Sequence, residues 1–200
     1  EQADDAKGKF SGFTSVLSGM GTALKAAAAA TAAAVAGAAT AIGALTTKAI
    51  EGYAAQEQLV GGVETLFKTS SDTVVGYAND AYKTAGMSAN EYMETVTSFS
   101  ASLLASMNND TAAAAEKANV AITDMSDNAN KMGTDISLIQ NAYNGFAKQN
   151  YTMLDNLKLG YGGTKEEMQR LLDDASKLSG IKYDISSYSD VVDAIHVVQT

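Results

Sequence analysis

The sequence predicts an all-α chain, a long Ala-rich N-terminal helix followed by a bundle of shorter antiparallel helices. Three observations lead there. Proline, the strongest helix breaker, is absent from all 200 residues. Apolar side chains recur at helical spacing: Tyr92, Val96, Phe99, Leu103 and Met107 step by four, three, four and four, which excludes strand alternation. Start and stop signals bracket the periodic runs, with Ser88 and Glu91 or Thr164 and Glu167 as capping-box pairs and Gly86, Gly133 and Gly180 as stops. With 46% of its residues hydrophobic, the chain is also long enough to bury a core.

Element by element, Phe10, Phe13, Val16, Leu17 and Met20 make one apolar stripe across a glycine-weakened first segment, 9–23. Between Lys25 and Lys48 lie 22 uncharged residues, thirteen of them alanine, the best helix former. This helix is expected to continue through residue 67, with Gly52 and the Gly61-Gly62 pair as bends. From Ser70 the units shorten. A helix ending near Gly86 precedes a hairpin of two helices, broken at Asn108, Asn109 and Asp110, whose second member carries Ala118, Ile122, Met125, Ala129 and Met132 on one face. Ile136, Ile139, Tyr143 and Phe146 mark the next helix, and YTMLDNLKL reads as a short helical piece. GYGG at 160–163 reads as a flexible turn before a helix with the stripe Met168, Leu171, Leu172, Ala175 and Leu178. After Gly180, IKYDIS alternates briefly like an extended segment, and Ser187 or Ser189 caps a last helix. The expected divisions are a long Ala-rich segment at 1–69, a helical core module at 70–180 and the start of a further segment at 181–200. Glu1 in place of an initiator Met, and an ending inside an apolar pattern, lead us to expect cuts from a longer chain at both ends.

Composition excludes much chemistry. Without cysteine there is no disulfide, thiolate metal site or cysteine nucleophile. His196 is the sole histidine, so no multi-histidine metal site forms within the chain, and we expect no Ser-His-Asp triad built on it; it reads as a partly buried helix residue. GYGGTK lacks the GK[ST] of a phosphate loop. Glu166-Glu167 and Asp173-Asp174 are neighbours that point about 100° apart on a helix, which suits a solvated face better than paired acid-base work. We therefore expect no enzyme, no metal and no cofactor. Residues 49–200 hold twenty acids against ten bases, one of them the only arginine, which argues against direct nucleic-acid binding.

The uncharged run at 26–47 is long enough to span a bilayer, yet Val35, Ile42 and Leu45 are its only strongly apolar residues and supply about −1 to −2 kcal/mol of insertion energy. Ala33, Gly37 and Ala41 lie four apart, a small-residue face on which helix backbones approach closely. These six residues are the candidates for helix packing, including self-association, or for contact with a membrane.

Two segments, GMSANEYMETVTSFSASLL at 86–104 and AAAAEKANVAITDMSDNANKMGTDISLIQNAYNGFAKQNYTMLDNLKLGYGGTKEEMQRLL at 112–172, together with the Ala-rich lead-in, resemble the core region of tape measure proteins from long-tailed phages and prophages of Gram-positive bacteria. The resemblance covers about residues 20–180. It implies a virion protein of the tail tube lumen, present in the host cytoplasm during assembly, that sets tail length, meets tail tube and assembly chaperone proteins, and leaves ahead of the DNA. The ruler of such proteins rests on the fixed helical rise of about 1.5 Å per residue. Repeated caps and glycines set this chain apart from a pure ruler, since they fold it back into a core module. The alternative reading is a membrane-active helix that enters the host membrane during DNA injection.

Overall fold

The local signals become helices in a computed structural model that describes residues 55–200. Residues 1–54, including Ala33, Val35, Gly37, Ala41, Ile42 and Leu45, lie outside the described residues. Helix α1 occupies 55–67, unbroken at Gly61 and Gly62, and ends in a 3-10 turn at Lys68–Ser70. Then come α2 (Ser71–Thr84), α3 (Ala89–Ser106), α4 (Thr111–Met132), α5 (Ile136–Phe146), α6 (Lys165–Ser179) and α7 (Tyr188–Gln199). Among the described residues there is no strand, and the all-α class holds. IKYDIS is irregular, and YTMLDNLKL yields only the 3-10 turn Leu154–Leu157.

The caps follow the sequence closely. Ser88 and Glu91 form a complete capping box at the start of α3. Asp110 accepts from the Ala112 and Ala113 amides at the start of α4, Asp135 caps α5, and of the two serines considered Ser187 caps α7. The chain turns between α3 and α4 at Asn108 (φ 54°) and Asn109 (φ 59°), left-handed positions that asparagine tolerates best among residues with a side chain. Thr164 accepts from the Glu167 amide, but the box stays half made because the Glu167 carboxylate turns to the Gly162 amide and Arg170 instead.

The expected stripes build the core. Tyr92, Val96, Phe99 and Leu103 of α3, Ala118, Ile122 and Met125 of α4, Ile139, Tyr143 and Phe146 of α5, and Met168, Leu171, Leu172 and Ala175 of α6 are all buried. The α6 stripe stops there, for Leu178 in its last turn is 69% exposed. Val63 and Phe67 of α1 and Val191, Val192, Ala194 and Ile195 of α7 join the same core. The expected divisions at 69/70 and 180/181 therefore fall inside one compact unit, 54–200, because apolar faces on both sides of each division are buried together. The short Asn108-Asn109 connection makes α3 and α4 the expected hairpin. Helices α4 and α7, by contrast, are parallel: their partners climb together, Lys117 with Asp193, Asp124 with His196 and Asn128 with Gln199.

Candidate functional site

Two places gather the less common chemistry of the described residues. The first is the seam between α4 and α7. Asp193, His196 and Gln199 repeat every three residues along α7, while Lys117, Asp124 and Asn128 sit at sevenfold and fourfold steps along α4, so each helix offers one polar line to the other. Lys117 forms an ion pair with Asp193. His196 Nδ1 lies 3.0 and 2.9 Å from the two carboxylate oxygens of Asp124, and Asn128 Nδ2 donates to Gln199 Oε1 at 3.0 Å and to the Leu157 carbonyl at 3.0 Å. Asp124 is 6% exposed, whereas the His196 side chain is 43% exposed, so a buried anion faces a half-buried partner.

The electrostatics follow from that asymmetry. Burial pushes the Asp124 carboxyl above the usual aspartate range; the charge and hydrogen bond of His196 pull it back only in part, and the charge of Asp127 adds to the rise. Burial also raises the Tyr143 hydroxyl well above its ordinary value, with the charge of Asp124 contributing. Two buried atoms close to this seam, Asn128 Oδ1 and Tyr143 Oη, have no hydrogen-bond partner, and each such orphan costs about 1–3 kcal/mol. A cleft of about 640 Å³ opens beside the seam, lined in part by Asp124, Asp127, Asn128, Lys131 and Gln199.

The second place is the glycine turn, which is clamped where the sequence suggested flexibility. Arg170 donates from Nη2 to the Gly160 carbonyl at 2.9 Å and lies 4.4 Å over the Tyr161 ring. Its Nε meets Glu167 Oε1 at 3.1 Å, Glu167 Oε2 accepts from the Gly162 amide at 3.0 Å, and Tyr161 Oη donates to Asp174 at 3.1 Å. The hydrogen bond from Arg170, then the one from the Gly162 amide, holds Glu167 below the usual carboxylate range. A Cβ at Gly163 would stand 2.2 Å from the Thr152 carbonyl oxygen, so only glycine lets the two backbones approach. In this turn the Gly162 amide is thus taken by Glu167 and the Thr164 amide by the Gly162 carbonyl.

A third feature, a cleft of about 630 Å³ between α3, α4 and α5, is lined by hydroxyls, amides and the acids Glu91 and Glu94. Several of those groups already pair across it: Gln140 Nε2 donates to Thr95 Oγ1 at 2.9 Å and Ser98 Oγ to Asn144 Oδ1 at 2.9 Å. The four carboxylates singled out in the sequence do not converge. Glu167 and Asp174 serve the clamp, Asp173 accepts from Gln169, and Glu166 is exposed. Among the described residues, no three His, Asp or Glu side chains are grouped to hold a metal ion. Sequence reasoning placed His196 on a helix, partly buried, but missed Asp124, a polar residue 72 positions away whose neighbourhood no local pattern signals.

Comparison with known protein families, curated proteins and solved structures finds none that matches the chain.

Proposed function

We propose that the chain is a structural, non-enzymatic segment of a phage tail tape measure protein that acts in tail assembly and length determination and leaves the tube during genome delivery. The best support is the run at 112–172, which carries the resemblance and builds α4, α5, the clamped turn and the start of α6 as parts of one packed body. The sole arginine and the sole histidine both engage other groups of the protein, as befits a molecule whose specificity lies in how its helices pack. Its partners are then further copies, tube protein and assembly chaperones, and its place is the tail lumen. The net charge of −9 suits residence beside DNA without direct binding to it.

In-frame deletion of 70–180 in the full-length gene, with tails measured by electron microscopy, tests this. Because the module folds back on itself, tails should shorten by much less than about 1.5 Å per deleted residue, or assembly should fail. Unchanged tails with intact assembly would remove the module from length determination, and hydrolysis of peptidoglycan by the purified chain would end the non-enzymatic reading.

The uncharged stretch at 26–47 favours a second reading, a membrane-active segment during DNA injection. No helix among the described residues is long and apolar enough to cross a membrane, and this reading rests on 26–47. Partition of a 26–47 peptide into liposomes separates the two readings.

A further inference from the structure

Helix α7 is held to the rest of the bundle in two ways. Its apolar side, Tyr188, Val191, Val192 and Ile195, is buried, with the Tyr188 ring edge-on to Phe99 of α3 at 6.3 Å. Its polar side meets α4 through the seam, where the closed arrangement buries an anion and leaves Asn128 Oδ1 and Tyr143 Oη unpaired. Opening returns Asp124 and Asn128, which line the cleft beside α7, to water, and this lowers the work of detaching the helix relative to one held by apolar contact alone.

We propose that α7 is a releasable latch whose hold on the bundle is set by the charge state of Asp124, buried against His196 of that helix, and that release uncovers the Phe99 side of α3. This does not depend on the tail reading. The groups facing the pair are few. From α4 come Asp127, which presses on Asp124, Lys117, which pairs with Asp193, and Lys131, whose Nζ is 3.5 Å from the Gln199 carbonyl. From α5 comes Tyr143; α3 offers the uncharged Ser106, which accepts from the Ser189 amide. On α6, Asp174 is engaged with Lys177 and Tyr161, and on α7 Asp190 binds the Ser187 hydroxyl and the Asp184 amide.

The direction follows from linkage. Closing the latch raises the Asp124 carboxyl, so the stability this group contributes is present where it is protonated and lost as pH rises through its raised value. The latch therefore loosens as pH rises through that raised value.

The absence of cysteine provides a clean probe. Ala194 on α7 and Ala118 on α4 are both 0% exposed; Ala194→Cys and Ala118→Cys are made separately in the intact chain, and thiol trapping is followed from about pH 4, near the ordinary aspartate value, up to about pH 7, after correction for thiolate fraction. Position 194 should react at least about tenfold faster than 118, and the ratio should grow with pH. Adding Asp124→Asn should abolish that growth. Equal trapping at the two positions, or a pH dependence that survives Asp124→Asn, would overturn the proposal. If either cysteine variant fails to fold, hydrogen exchange of the 188–199 amides relative to those of 111–132 in the unsubstituted chain, and then in Asp124→Asn, reads the same outcomes.

Discussion

Helices α2, α3 and α4 and the pair α6 and α7 belong to one compact unit, but they are held by different forces. In the first group Ala78, Ala81, Ala114, Ala118 and Ala121 are buried beside Phe99, Leu103 and Ile122, and the hydrogen bonds that join these helices, Tyr92 to Asn119 and Ser126 to the Ala85 carbonyl, involve no charged side chain. In the second, apolar stripes join α6 and α7 to the core, while the seam to α4 and the clamp on the glycine turn depend on ionisable side chains. Apolar packing fixes a shape; a buried charge adds a place where conditions in solution can alter it.

That contrast can be tested from the strong side first. Leu103→Ala should remove about 3–4 kcal/mol, because a fully buried leucine leaves a cavity, and thermal melts followed on any probe should fall together. Gly163→Ala should come next, at about 3 kcal/mol, since its Cβ collides with the Thr152 backbone and not with a movable side chain; near-ultraviolet signals from Tyr161 should change as the clamp is displaced. His196→Ala should cost about 2 kcal/mol, less than a fully buried pair because the imidazole is half exposed, and hydrogen exchange should speed up over α7 before α3. Asp124→Asn should be milder than His196→Ala. It should also flatten the decline in stability as pH rises above the usual aspartate range, because the raised carboxyl that produces the decline is gone. Smallest is Ser88→Ala, about 1 kcal/mol, read as a uniform shift of the denaturant midpoint. Equal loosening of α3 and α7 in the His196 variant would erase the distinction between the two groups.

Much of the fold was legible because helices announce themselves locally. The four-and-three stepping of Tyr92 to Leu103 and the Ser88–Glu91 box needed only neighbours in sequence, and both appear as expected. What was missed depends on residues far apart. Glu167 looks like the second half of a capping box, yet Arg170 and the Gly162 amide compete for its carboxylate and win. Glycine in GYGG suggests freedom, but at Gly163 the lack of a side chain permits a tight backbone crossing. The parallel course of α4 and α7 departs from simple up-and-down alternation through α5 and α6, and no short-range rule anticipates it. Of the seam, the sequence offered the lone histidine and nothing about Asp124. The six small and apolar residues of the Ala-rich run lie outside the described residues and remain expectations.

The turn at Asn108 and Asn109 has a practical consequence. Both residues are exposed and carry no core side chain, while α4 is started by its own Asp110. An epitope or a fluorescent domain placed between them would add chain only to the surface, giving a handle for locating this module inside an assembled particle.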